Sequence, residues 1–297
     1  MNTGMSTAVI DSYRHRSRYA RAEVARLRVP RLLPGLLEDT NHVAELPCGA
    51  GHFLADYLRV TARLTMVDGS PAMLAAAAAH ACEIGLASSR LTTRSARIPR
   101  ELDLPDDVDL VVVPNAALNQ LASQARLDEL WVSLRAAVRR GCAVLAQVAC
   151  IQPDGRTDRC GVYDPDRVHE RWFADRVLVH VPAEVAGGDT SDRAENAGVA
   201  VVRHRCQHRT GSALRIELDY RSVSGSLLHA TSVDLRLLTV PELAAAAACT
   251  RPRCGCVTAP APTSSPLAAG PCRPPSSRTA SARSCPRTSS SQRAGSS

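Results

Sequence analysis

The stretch His42-Val43-Ala44-Glu45-Leu46-Pro47-Cys48-Gly49-Ala50-Gly51 opens the ordered part of the sequence. A short apolar run ending in an acid and a glycine turn predicts a strand over residues 42–46, feeding a helix over residues 51–58. Side chains are missing at Gly49 and Gly51, so a ligand can approach the backbone there. The exposed N–H groups of the following helix favour a carboxylate or phosphate. A second strand over residues 63–67 ends at Asp68, a carboxylate placed to accept hydrogen bonds from a ribose.

Outward from this pair the pattern repeats. Residues 12–29 read as a helix with Ala20, Val24 and Leu27 on one face and arginines on another, stopped by Pro30. Ser70 followed by Pro71 starts a helix as N-cap and first helical residue, and the alanines 75–79 favour its continuation. Strands are expected at residues 91–94, 108–113 and 143–149, with a helix at 123–140. This alternation predicts a parallel sheet covered on both faces, and Asp109-Leu110-Val111-Val112-Val113 reads as a fully buried strand.

After Cys150 the pattern changes. Residues 151–196 are turn-rich. Three alternating segments, 199–209, 214–223 and 227–238, are separated by Thr210-Gly211 and Ser224-Gly225, which predicts an antiparallel meander over the open end of the sheet. Thr239-Val240-Pro241-Glu242-Leu243 then opens another helix. From about Thr250 the chain has 8 of its 19 prolines, 11 serines and no acid. Such a segment buries too little apolar surface to offset its conformational entropy and is expected to be disordered, as a frame-shifted or divergent C-terminus would be. The expected organisation is a helical lid (1–40), an α/β domain (41–150), an antiparallel β insertion with a following helix start (151–248) and a disordered tail (249–297).

The net charge of +7 resembles a nucleic-acid footprint until it is located. All 36 basic residues are arginine; seven lie beyond Glu242, and the other 29 match the 29 acids. Nucleic acid is therefore an unlikely partner. The 11 cysteines are scattered and odd in number, with no signal peptide ahead of them, so those up to Cys206 read as reduced thiols of a cytoplasmic protein. No apolar run long enough to span a membrane is present.

Two cofactors suit a crevice of this kind. A dinucleotide fingerprint needs a third glycine, but counting from Gly49 that place holds Leu54. Glu45 could instead meet an ammonium group, directly or through water, and S-adenosylmethionine (SAM) combines an amino acid with a nucleoside. With Val67-Asp68-Gly69-Ser70-Pro71-Ala72-Met73-Leu74 and residues 109–121 added, the chain resembles class I SAM-dependent methyltransferases over roughly residues 40–150. The resemblance implies a Rossmann-like sheet and SAM as cofactor. It also implies that Glu45, Gly49 and Gly51 hold the methionine part, Asp68 the ribose, Ser70 and Met73 the border of the adenine, Ser95 and Ala96 the adenine amine, and Asn115 and Ala116 the sulfonium side. Pro47 stands where the family's first glycine usually is, and Ser95 where an Asp is usual. The meander ahead of the 239–243 helix start resembles small-molecule N-methyltransferases, including those of antibiotic biosynthesis.

The expected reaction is methyl transfer to an amine, or less readily a hydroxyl, of a small molecule. A hydroxyl would need a base, for which Asp164, Asp166, His169 and His229 are candidates; no catalytic residue is assigned. The alternatives are an NAD(P)-dependent oxidoreductase on a similar fold and a non-catalytic SAM-binding protein. A homodimer is compatible with the sequence. Tyr13 and Tyr19 could close over the cofactor, though packing against the sheet suits them better, and His52 reads as a solvated first-turn residue. His204, Cys206 and His208 share a strand face but lack a fourth ligand, so no metal is assigned.

Overall fold

Strands that are apolar on both faces are stable only inside a layered structure, and the first and fourth strands show this directly. The computed structural model describes residues 7–24, 29–124, 127–152, 171–181 and 199–248. Strand β1 (His42–Glu45) and strand β4 (Leu110–Val113) are buried at every position. They lie side by side in a five-stranded parallel sheet with β2 (Arg63–Asp68), β3 (Leu91–Ser95) and β5 (Ala143–Ala146), in the order β3-β2-β1-β4-β5. In this order the chain moves outward from β1 in both directions, so a crevice opens at the carboxyl ends of β1 and β4, where ligands bind in open α/β sheets. Among the described residues β5 pairs only with β4, and its four residues are half-buried.

Helices cover both faces. On one face Leu54, Tyr57 and Ala77 pack with Leu64 and Met66; on the other, Leu118, Leu130 and Leu134 pack with Val111 and Val113. Helix α1 spans Thr7–Val24 and α2 spans Leu33–Glu38. The helix expected after β1 shrinks to α3 (Leu54–Tyr57), because a turn holding Gly51 at φ +80° occupies the residues before it. Helix α4 (Pro71–Glu83) starts as its sequence requires, Ser70 Oγ accepting from the Met73 N–H at 3.4 Å. The single helix expected over 123–140 is two, α5 (Ala117–Gln124) and α6 (Leu127–Ala137). The earlier start was hidden because Asn119 and Gln120 interrupt the apolar pattern. Asn119 is fully buried all the same: its Nδ2 donates to Ala149 O (2.8 Å) and Arg236 O (2.7 Å), and its Oδ1 accepts from the Ala149 N–H.

A two-residue strand β6 (Cys150–Ile151) leads toward a four-stranded antiparallel sheet of order β10-β9-β8-β7. Strands β8 (Val199–Thr210), β9 (Ala213–Ser222) and β10 (Leu227–Arg236) are the expected meander, and β7 (Phe173–Val181) is an addition from a region that reads as turns. Its apolar residues are interrupted by Asp175, which pairs with Arg203, and Arg176, whose Nη1 donates to the Glu23 carbonyl, so neither marks a surface loop. Strand β11 (Leu238–Thr239) pairs with β6, and α7 (Val240–Ala248) follows. Thr239 and Glu242 form a reciprocal capping box: Thr239 Oγ1 accepts from the Glu242 N–H, and Glu242 Oε2 accepts from the Thr239 N–H at 2.8 Å.

A third apolar cluster joins α1 to the antiparallel sheet, with Tyr19 stacked on Tyr220 at 4.2 Å between ring centroids. No described helix is long and apolar enough to cross a membrane. The described residues all lie in one compact unit, Met1–Val257. The tail expected to be disordered, 249–297, lies outside the described residues, as do the candidate bases Asp164, Asp166 and His169.

Candidate cofactor and acceptor site

At the carboxyl ends of β1, β2 and β4 the chain turns around a cavity of about 160 Å³, walled by α1 on one side and by β8, β9 and β10 on another. On the cofactor-type wall lie Pro47, Gly49, Ala50, His52, Asp68 and Met73. Gly49 has φ +52°, and a Cβ there would stand 2.7 Å from the His52 ring, so glycine is the residue the turn admits. His52 lines the cavity with its Nδ1 engaged at 2.8 Å by Cys48 O.

Asp68, at the tip of β2, reaches over the turn. Its Oδ2 accepts from the Gly49 N–H and its Oδ1 from the Ser70 N–H, both at 2.9 Å. A carboxylate oxygen has two acceptor positions, so each keeps one for a ligand hydroxyl. Burial raises the Asp68 pKa above its usual value, and the backbone N–H groups of Ser70 and Gly49 offset part of that effect. A buried carboxylate that backbone N–H groups offset only in part is what a pair of ribose hydroxyls would further stabilise, so the residues present fit an adenosyl ligand.

Asn115 and Ala116 follow β4 with φ +50° and +56°. Two successive non-glycine residues in the left-handed region are strained, and such strain concentrates where a ligand is bound. Asn115 lines the cavity, and its N–H donates to Gln147 Oε1 at 2.8 Å. Of the cofactor residues expected from the sequence, Gly49, Asp68, Met73 and Asn115 therefore meet around one cavity, together with Pro47, His52 and Tyr13.

The other expected cofactor residues stand apart from it. Glu45 is fully buried beneath the turn: Oε1 accepts from the His52 N–H at 2.8 Å and Oε2 from the Tyr57 hydroxyl at 2.7 Å. It braces the turn rather than facing the cavity. Gly51 closes the turn, its N–H donating to Cys48 O, and a Cβ there would fall on Leu54. Leu54, in the place of a dinucleotide fingerprint's third glycine, is wholly buried. Ser70 caps α4, Ser95 is exposed at the end of β3, Ala96 is buried with its N–H on Asp68 O, and Ala116 packs toward the second sheet. His229 stacks beside Tyr220 and does not line the cavity.

The opposite wall was hidden from sequence reasoning because its charges are dispersed over three segments. Glu23 of α1 is 8% exposed and accepts from Arg203 Nη1 and, at 2.9 Å, from the Tyr220 hydroxyl, while its other oxygen lies 3.4 Å from Arg16 Nη2. Arg203 also holds Asp175 with two parallel bonds of 2.9 and 2.6 Å, and Arg205 Nε lies 3.3 Å from the same carboxylate. Burial works against ionising Glu23, but Arg16 and Arg203 outweigh it and bring the carboxyl down to about 2. Burial likewise disfavours the Arg203 charge, and Glu23 and Asp175 hold its pKa above the ordinary value. Tyr13 enters the same wall, its hydroxyl accepting from Gln120 Nε2, whereas Tyr19 packs on the second sheet.

Residues 43–141 match the family model described as a methyltransferase domain. No curated protein matches the chain. Among solved structures, the sugar N-methyltransferase KedS8 from Streptoalloteichus sp ATCC 53650 is similar with a TM-score of 0.52 at 20% identity, covering 83% of this chain and 84% of that one. The CcbJ methyltransferase from Streptomyces caelestis is similar with a TM-score of 0.50 at 13% identity, covering 77% of each chain. Residues 43–141 are thus similar to a methyltransferase domain, and the chain shares the Rossmann-like fold of these solved methyltransferases.

Proposed function

We propose that this chain transfers the methyl group of SAM to an amine of a small molecule, with a hydroxyl as the less favoured acceptor, in antibiotic or other secondary metabolism and in the cytoplasm. The observation that carries the proposal is Asp68: a buried carboxylate, bonded through one position of each oxygen to Gly49 and Ser70, with the remaining positions open to a cavity. In this reading Asp68 accepts the ribose hydroxyls, Gly49 admits the methionine part and Met73 borders the adenine. Asn115 flanks the sulfonium, while Glu45 and Gly51 act by fixing the turn. Ser70, Ser95, Ala96 and Ala116 belong to the supporting shell of the same site.

When bound, SAM supplies a methyl group on a positively charged sulfur, open to in-line displacement. The chain's contribution is positioning, which can lower such a barrier by about 7–11 kcal/mol. Arg16, Arg176, Arg203 and Arg205 all line the acceptor side, against the carboxylates of Glu23 and Asp175. An ammonium entering there meets like charge that favours its neutral form, and the neutral amine is the nucleophile. Glu23, held at about 2, is no base for a hydroxyl acceptor. The fold shared with a sugar N-methyltransferase supports an amine, and the all-arginine, alanine-rich composition suits a GC-rich genome in which antibiotic tailoring is common.

The test is mass analysis of the full chain incubated with SAM and a panel of small amines and alcohols. Methylated amine with stoichiometric demethylated cofactor is expected. Methylation of alcohols alone would overturn the choice of acceptor, and no saturable SAM binding by the chain would overturn the cofactor.

A further inference from the structure

The face of the antiparallel sheet turned away from the cavity carries a second cluster of chemistry. On β8 the inward residues Arg203 and Arg205 line the cavity, and on β9 Ile216 and Leu218 do the same. Their alternates, Cys206 on β8 and Glu217 on β9, are directly paired partners, so both stand on the opposite face, together with His208. Cys206 Sγ, His208 Nε2 and a Glu217 carboxylate oxygen all lie within 4.8 Å of one another. The sulfur is 3.4 Å from His208 Nε2, which is 3.4 Å from Glu217 Oε2. The other oxygen, Oε1, is 3.5 Å from Arg215 Nε, which leaves Oε2 turned toward the histidine.

We infer that Cys206, His208 and Glu217 form a zinc-type metal site, a cross-strand staple between β8 and β9. Tetrahedral zinc with ordinary bond lengths separates its sulfur and nitrogen ligands by about 3.6 Å, and its nitrogen and oxygen ligands by about 3.4 Å. The two separations found here agree within the usual tolerance of about 0.2 Å for a plausible site. One thiolate, one imidazole and one carboxylate is a donor set that suits zinc, whereas magnesium or calcium would want oxygen alone. Cys206 is 2% exposed, so it forms the floor, while the His208 and Glu217 side chains are a little over a third exposed and leave an entry path and a fourth position for water. Binding replaces the thiol S–H bond with a metal–thiolate bond, and that proton leaves to solvent. Because the opposite face of the sheet lines the cavity, the metal touches neither cofactor nor acceptor. Its effect is on the rigidity of β8 and β9, which carry Arg203 and Arg205.

His204, which the sequence pattern offers as a ligand, is not in the cluster; it is paired across the strands with Asp219. Glu217, from the neighbouring strand, takes its place, and no spacing along a single strand reveals it.

The test uses the chelator-treated full chain titrated with cobalt(II) as a spectroscopic probe and then with zinc. The other cysteines, including those beyond residue 248, are present in every protein compared, so the readout is a difference. The wild type is expected to bind one more equivalent than Cys206→Ser. It should show a sulfur-to-cobalt charge-transfer band and tetrahedral visible bands that are lost in Cys206→Ser and His208→Ala, weaken in Glu217→Gln and bleach when zinc is added. Circular dichroism of the metal-free variants checks that each is folded. Identical cobalt spectra and stoichiometry for wild type, Cys206→Ser and His208→Ala overturn the site. SAM binding is read separately, so this outcome is independent of the proposed methyl transfer.

Discussion

Replacing Asp68 by asparagine removes a charge and one acceptor while conserving shape. In the wild type both carboxylate oxygens accept from backbone N–H groups, Oδ2 from Gly49 and Oδ1 from Ser70, and the outer position of each is left for a ribose hydroxyl. An asparagine amide has a single acceptor oxygen, so its Nδ2 must confront one of the two N–H groups and can only donate toward the ligand. Loss of one hydrogen bond to a charged group is worth about 1.5–3 kcal/mol, which is about a 10- to 150-fold weaker SAM affinity. The confronted N–H costs about 1–3 kcal/mol of stability, although removing a charge whose burial is unfavourable returns part of it. Isothermal titration with SAM reads the first quantity and urea unfolding the second. A dissociation constant within twofold of wild type in a folded Asp68→Asn protein would refute the ribose assignment. The pH dependence gives an independent check. The raised pKa of Asp68 means that the ionised form needed by the ligand is lost at a higher pH than for an ordinary aspartate, so wild-type SAM affinity falls on acidification through that raised value, and Asp68→Asn loses this dependence.

The other predictions concern the frame around the site. Glu23 has a folded pKa of about 2, below its unfolded value of 4.5, so it contributes stability above pH 4.5 that is lost as the pH falls toward 2. Glu23→Gln should cost about 3–5 kcal/mol at pH 7 by removing the buried carboxylate that faces Arg16 and by leaving Arg203 to Asp175 alone, and should flatten the acid limb in urea unfolding; parallel pH profiles for variant and wild type would contradict this. Asn119→Leu strands the Ala149 N–H and the Arg236 carbonyl, a loss of about 2–4 kcal/mol by chemical denaturation; a change under 1 kcal/mol would mean the clamp is not formed. Gly51→Ala places a Cβ on Leu54 at φ +80° and should lower stability by about 1–3 kcal/mol, and an unchanged melting temperature would rule out the left-handed turn.

The parallel sheet was legible because its strands are continuous apolar runs and its turns carry glycine, as at Gly49, or an N-cap, as at Ser70. The three meander strands were legible through period-two alternation and their Thr210-Gly211 and Ser224-Gly225 turns. Strand β7 was not, since Asp175 and Arg176 look like loop residues until Arg203 and Glu23 are folded against them. The start of α5 was lost for the same reason: Asn119 is polar and yet fully buried, which only its three hydrogen-bond partners explain. At the site, the residues of the glycine turn and Asp68 were local in sequence and readable. The acceptor wall joins positions 13–24, 175–176 and 203–205, and no local pattern announces charges that neutralise one another across such separations.

Helix α1 has one further consequence, for anyone recombining this protein with others of its fold. Its Glu23 is balanced by Arg203 of β8, its Tyr13 meets Gln120 of α5, and its Arg21 meets Glu83 of α4. A chimera that exchanges the antiparallel sheet alone inherits a carboxylate matched to the wrong partner, and one that exchanges α1 alone leaves Arg203 with Asp175 but without its second carboxylate. The two segments are far apart in the gene but are matched in charge to each other, so under the proposed function acceptor preference is expected to be transplanted only when both travel together.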